Sequence, residues 1–246
     1  MNLDNKLKGI ILAGGTGSRL RPLTLVTNKH LVPVGRDVMI EYPLSTLKNL
    51  GIESITVVTG KEHAGAIMDY LCQSHPELNF SYKVQKEAGG IAQALGLAED
   101  TVSNSKIAVI LGDNIYTENF ENYSKQFLEY SAGTMLFLKQ VPDPYRFGVA
   151  ELNREKIISV EEKPRIPKSN LAVTGLYFYD NTVFEKIKKL KPSARGEYEI
   201  TDVNNMYIQD GKATYAMVNG FWSDAGTHDS REHCEEELKR LKYELK

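Results

Sequence analysis

Apolar and polar positions in the first half of this chain follow two alternating rhythms. Gly9–Leu12 is a short, continuous apolar run and predicts a buried strand. Met39–Asn49 predicts a helix that stops at Gly51, a residue suited to the left-handed turn after a helix. Ser54–Thr59 (SITVVT) is a β-branched strand, and Ala64, Ile67, Met68 and Leu71 then recur at helical spacing and define one apolar face. The alternation continues with strand Ser81–Val84, helix Ile91–Ala98, buried strand Lys106–Leu111, helix Asn119–Tyr130 and strand Thr134–Lys139. Strands separated by helices predict an α/β chain with a largely parallel sheet and right-handed crossovers.

The second half is less regular. Gly148–Leu152 and Ile157–Val160 predict paired strands turning at Asn153–Glu155, followed by strand Ala172–Tyr179. Helices are predicted at Asn181–Leu190 and Glu199–Gln209, a strand at Ala213–Val218, and an amphipathic helix from about His228 to Lys246, with Leu238, Leu241 and Leu245 on one side. No repeat, low-complexity tract or Pro/Gly/Ser linker interrupts the pattern, and the DPYR and KPRIPKS segments are too short to act as linkers between domains. The expectation is one domain, residues 1–246, with a mixed sheet.

Composition narrows the function. Among 246 residues, 41% are hydrophobic and 25% charged, and the net charge of -2 offers no whole-surface attraction for nucleic acid or acidic membranes. Any anionic ligand must meet a local cationic pocket. The two cysteines, Cys72 and Cys234, are far apart and read as small hydrophobes in a reducing compartment. There is no signal-peptide pattern and no run near the ~18 apolar residues of a membrane span, so a cytoplasmic protein is expected.

The apolar run Gly9–Leu12 empties into a loop with Gly14, Gly15 and Gly17, and then Arg19. Exposed backbone N–H groups backed by a cation suit a phosphate chain, although a tight strand-to-helix turn would look the same. No Lys follows a glycine as a Walker A loop requires, and the third glycine of a dinucleotide fingerprint falls on Leu20. Asp113 closes the Lys106–Leu111 strand, where a carboxylate faces the ligand crevice of an α/β sheet, and is a candidate Mg²⁺ ligand; Asp224 is a plausible partner. Lys29, Lys163 and Arg195 lie at turns or loops and, with Arg19, could neutralise two phosphate groups. Gln85, Gly90 and Gln93 could present amides to a base edge. No nucleophile stands beside a base, and the histidines form no ligand spacing. Cations, one metal and no base fit transfer at phosphorus, where positioning and charge stabilisation dominate.

These residues carry a resemblance. GIILAGGTGSRLRPLT, MIEYPLSTL, GIAQA, LGDN, GVAEL, VEEKP, SNLAVTGLYFYD, ARGEYEITDVN and DAGTHDS occur in order over about residues 8 to 232. The chain is similar to the sugar-1-phosphate nucleotidylyltransferases. The resemblance implies a three-layer Rossmann-like fold with a mixed, mainly parallel sheet. It also implies Mg²⁺-dependent, in-line attack of glucose 1-phosphate on the α-phosphorus of dTTP, on the route to dTDP-rhamnose. In that scheme Arg19 and Lys29 hold the triphosphate, Gly14 and Gly15 bring amides to it, and Gln85 and Gly90 read the base. Asp113 and Asp224 hold the metal. Gly148, Glu162 and Val173 contact glucose, while Lys163 and Arg195 grip its phosphate. The family forms homotetramers, so a homo-oligomer is expected.

The chain also departs from the family pattern. His30 stands where Gln is usual, Glu41 and Phe147 where Tyr is usual, Arg36–Asp37–Val38 replace Asp-Lys-Pro, and SDAGT replaces LDTGT. Longer members add helices beyond the position of Leu238 that help form a feedback site, so altered feedback is expected. Rival readings are UTP or another sugar phosphate as substrate, a non-catalytic sugar-nucleotide sensor, and a dehydrogenase. The retained acids count against the sensor. The broken glycine fingerprint, and the lack of an acid directly closing Ser54–Thr59, count against the dehydrogenase.

Overall fold

The structure is a computed structural model that describes residues 6–102, 104–130 and 133–245. Strand β1 (Lys8–Ala13) is the first element and lies inside a nine-stranded sheet, between two parallel neighbours. Two short strands, β2 (Pro33–Val34) and β3 (Asp37–Val38), form a separate antiparallel pair. Then come α1 (Glu41–Asn49), β4 (Ser54–Gly60), α2 (Ala64–Ser74), β5 (Asn79–Gln85), α3 (Ile91–Gly96), α4 (Glu99–Val102) and β6 (Ile107–Leu111). β4 and β6 flank β1 and β5 flanks β4, all parallel, as the alternating pattern predicts. Their carboxyl ends therefore open on one edge, which is where ligands of such sheets bind.

After β7 (Asn114–Tyr116), α5 (Glu121–Glu129) and β8 (Thr134–Gln140), the hairpin β9 (Gly148–Asn153)–β10 (Lys156–Glu162) forms as predicted. β11 (Leu171–Tyr179) joins the two halves: it runs antiparallel to β6, β8 and β9. The chain finishes with α6 (Val183–Ile187), α7 (Ile200–Gln209), β12 (Ala213–Met217), β13 (Trp222–Asp224) and α8 (His228–Arg240). β12 lies parallel to β8, and β13 pairs with β7 in a two-stranded ribbon outside the main sheet.

The period-2 alternation of the central strands builds both cores. Ile11, Ala13, Ala108 and Ile110 face a layer with Leu44, Leu47, Ile67 and Phe127 from α1, α2 and α5. Their neighbours Ile10, Leu12, Ile107 and Val109 face Ala92, Leu95, Phe184, Val203 and Tyr207 from α3, α6 and α7. The result is a three-layer mixed α/β fold. A third cluster, with Leu20, Met39, Tyr42, Ile115, Cys234 and Leu238, docks α8 under the glycine loop.

Several predicted boundaries move. α8 stops at Arg240, with Lys242 left-handed at φ 50°; Leu238 is buried but Leu241 is exposed, and residue 246 of the predicted helix lies outside the described residues. Residues 1–5 of the predicted domain also lie outside them. α1 begins at Glu41 rather than Met39, α3 ends at Gly96, and the Asn181–Leu190 segment contains only the short α6. Met68 is more than a third exposed, so the buried face of α2 is Ile67 and Leu71. Cys72 is exposed, whereas Cys234 is buried as expected of a small hydrophobe. Among the described residues no helix is long and apolar enough to cross a membrane.

Candidate active site

The site grows from the carboxyl ends of β1, β5 and β6. Gly14 follows β1, and a Cβ there would stand 2.5 Å from Gln85 Oε1, so only glycine admits this close approach. Gly15 takes φ +97°, a conformation that L side chains rarely adopt, and a Cβ on it would lie 3.9 Å from Lys29 Nζ. Gly14, Gly15, Lys29, Gln85, Gly90 and Asp113 share the lining of one cavity of about 250 Å³. This gathers every residue assigned from the sequence to the nucleotide, apart from Arg19 and Gln93.

Arg19 opens onto an adjoining cavity of about 450 Å³, together with Asp113, Gly148, Glu162, Lys163, Val173 and Asp224. The β7–β13 ribbon brings the two acids together. Asp224 is paired in register with Asn114, and Ala225 N–H donates to the Asp113 carbonyl at 2.8 Å. Asp113 Oδ2, Asp224 Oδ2 and Arg19 Nη2 lie 3.4, 3.6 and 3.2 Å from the point where a Cβ on Gly226 would stand. Two carboxylates remote in sequence thus converge on one small volume.

Each acid has its own cation. Lys29 Nζ donates to Asp113 Oδ2 at 2.7 Å, and Arg146 Nη2 approaches Asp224 Oδ1 at 3.4 Å while its Nη1 donates to Asp143 at 2.7 Å. Burial opposes the charge on Asp113. The Lys29 ammonium and donors from Lys29 and Asn114 outweigh it and hold its carboxyl well below the usual carboxylate range. Burial, and then repulsion from Asp113, push Asp224 up, opposed by Arg146, Arg19 and Lys29.

Asn114 orients this pair. Its Nδ2 donates to Asp113 Oδ1 at 3.0 Å, and its Oδ1 accepts from Gly175 N–H at 3.0 Å and Trp222 Nε1 at 2.7 Å. Two donors on that oxygen leave the amide a single orientation. At the far wall Glu162 accepts from Thr201 Oγ1 at 2.6 Å. Lys163 is left-handed at φ 45° directly before Pro164, and its N–H donates to the Phe147 carbonyl at 2.9 Å.

Arg195 touches only Glu162 among the other predicted site residues. It lines neither cavity, and its guanidinium is bound to both oxygens of Glu199 at 2.8 and 2.9 Å, with Glu162 at 3.3 Å and Glu197 at 3.4 Å. His30 faces no cavity either: it is 1% exposed, caps against Asn28 Oδ1, and packs its ring over Gly112. Sequence reasoning misses Arg146, Asn114 and Thr201 as site residues. Arg146 lies in a segment that reads as a plain loop, and its signal is a cation directly ahead of the aromatic-glycine pair that opens β9.

Comparison with known proteins identifies the family. The family described as nucleotidyl transferase matches residues 8–240. A glucose-1-phosphate thymidylyltransferase of Neisseria meningitidis is 46% identical over 91% of this chain and 80% of its own length. One from Mycolicibacterium smegmatis is 43% identical over 91% of this chain and 79% of its own. A crystal structure of a Bacillus anthracis protein described as a glucose-1-phosphate thymidylyltransferase, in complex with sucrose, superposes with a TM-score of 0.91 at 51% identity over 97% of both chains. A UDP-glucose pyrophosphorylase complexed with UDP-glucose, with a TM-score of 0.86 at 22% identity over 96% of this chain and 99% of its own, shares the fold alone. The chain belongs to the nucleotidyl transferase family, and it is an enzyme of that class.

Proposed function

We propose that this enzyme transfers the thymidylyl group of dTTP to α-D-glucose 1-phosphate, giving dTDP-glucose and pyrophosphate. The observation that carries the reading is the convergence of Asp113, Asp224 and Arg19 on one point between the glycine cradle and the larger cavity. In this reading a phosphate oxygen of the sugar attacks the α-phosphorus, and the bond to the bridging oxygen of the β-phosphate breaks in line. A phosphate monoester, with its second pKa about 6, is largely dianionic near neutral pH and needs no general base. Arg19 and Lys29 take up the charge of the departing pyrophosphate. Lys163 and Arg195 neutralise the sugar phosphate, and Arg195 must leave the carboxylates of Glu199 and Glu162 to do so. Gly148, Glu162 and Val173 line the space for glucose, and Gln85 and Gly90 read the base.

The acid pair suits Mg²⁺, which takes few protein carboxylates and completes its shell with phosphate and water oxygens. Among the described residues no group of three or more His, Cys, Asp or Glu is placed to hold a metal ion. Asp113 and Asp224 would hold it; when bound, Mg²⁺ supplies Lewis-acid withdrawal of charge and a template for the reacting phosphates. The reading places the whole site on one domain of a cytoplasmic homo-oligomer that engages neither nucleic acid nor membrane.

A pyrophosphate-release assay over a matrix of nucleotides and sugar phosphates tests it. dTTP with glucose 1-phosphate should give the highest kcat/KM, and EDTA should abolish release. No release from any pair would end the reading. Asp113→Asn should lower kcat by roughly a hundredfold or more while the circular dichroism spectrum stays unchanged; near-normal turnover would remove Asp113 from the mechanism.

A further inference from the structure

Gln85 closes β5, is 8% exposed, and lines both the nucleotide cavity and a neighbouring one that includes Gly15, Gly60 and Lys61. Its Nε2 donates to Gln93 Oε1 at 2.9 Å and to the Gly90 carbonyl at 3.3 Å. Gln93 Oε1 also accepts from Gly89 N–H at 3.1 Å. Neither amide can be turned round. A turned Gln85 would set its oxygen against two acceptors, and a turned Gln93 would set its NH₂ against two donors. Gln85 Oε1 is therefore fixed as an acceptor, and among the described residues it receives no hydrogen bond; it lies over Gly14, at the floor of the cavity.

Gly89 makes the arrangement possible. A Cβ there would stand 2.4 Å from the Gln93 amide atoms, although the backbone at Gly89 is not left-handed and does not itself require glycine. The missing side chain is what lets the Gln93 amide lie flat against the loop and reach Gln85.

We infer that Gln93, seated on Gly89, is a positioning residue that fixes which way the Gln85 amide faces, so the site selects bases with an N–H donor at N3 over cytosine. The imide of thymine or uracil offers N3–H to the waiting oxygen. Cytosine offers a lone pair at N3, which opposes Gln85 Oε1 and leaves two buried acceptors unpaired. The inference rests on the assignment of Gln85 to the base, and not on the transfer reaction.

Calorimetric titration of the full chain with dTTP and dCTP tests it without turnover. The wild-type chain should favour dTTP. In Gln93→Met the Gln85 amide is free to rotate, and the ratio of the two affinities should fall by roughly ten- to a hundredfold, with dTTP weakened and dCTP strengthened. Gln93→Glu keeps an acceptor oxygen for Gln85 and Gly89 and should retain most of the preference, which a merely structural role for Gln93 would not require. Gly89→Ala should lose it as Gln93→Met does. A wild-type preference preserved in both Gln93→Met and Gly89→Ala would overturn the inference, as would a wild-type chain that binds dCTP as tightly as dTTP. A chain that discriminates the two bases yet releases no pyrophosphate would refute the proposed reaction and leave this inference standing.

Discussion

His30 sits behind the acid pair as a buried neutral ring. Burial, reinforced by the charge of Lys29, pushes its pKa down to about 3. In the unfolded chain a histidine takes up its proton near pH 6.5, so between about pH 6.5 and 3 only the unfolded state is protonated. Stability contributed by the neutral ring is present above that window and is lost as pH falls through it, by about 1.4 kcal/mol per pH unit. His30→Gln has no such proton to bind. Urea unfolding at pH 7, 6 and 5 should show the wild-type chain losing stability more steeply than the variant; equal slopes would mean that the ring is protonated in the fold. At this scale the sequence is legible where chemistry is local. Gly14 and Asp113 each stand beside a strong strand signal, and the structure brings both to one cavity. The roles of Arg146 and Asn114 are not legible, because they consist of contacts with Asp224, Gly175 and Trp222, far away along the chain.

Elements are legible in proportion to their length and periodicity. The central strands and α2 carry enough pattern to be read alone, and the paired β9–β10 hairpin is marked by apolar runs on each side of a polar turn. β7 and β13 have three residues each, too few for any period to emerge, yet their pairing is what aligns the acids. The predicted end of α8 runs too far because the residues after Arg240 keep a helical composition while the backbone turns left-handed at Lys242. The ribbon's fit against β11 is close: a Cβ on Gly175 would stand 2.5 Å from Asn114 Oδ1. Gly175→Ala must push Asn114 off Asp113 and Trp222. Overpacking of this kind costs about 1–3 kcal/mol, and each kcal/mol lowers Tm by about 2–4 °C in a chain of this size. Differential scanning calorimetry should show that drop together with a lower kcat; unchanged values of both would mean that Asn114 does not orient the acids.

Across the whole molecule, β11 is the seam. It pairs with β6 of the parallel half and with β8 and β9 of the mixed half, so neither half has a complete sheet without it. The prediction is one cooperative unfolding transition. The far-ultraviolet circular dichroism signal and the fluorescence of Trp222, the single tryptophan, should lose their native values at the same urea concentration. Two separated midpoints would reveal two folding units. The parallel half is read from alternation, and the second half is read as strands of a mixed sheet, but the partners of β11, a nine-residue apolar strand, are named by no local pattern. The ribbon has one more consequence, for a chain still being synthesised. Asp113 leaves the ribosome long before Asp224, so the two carboxylates meet only late in synthesis, once β13 docks on β7.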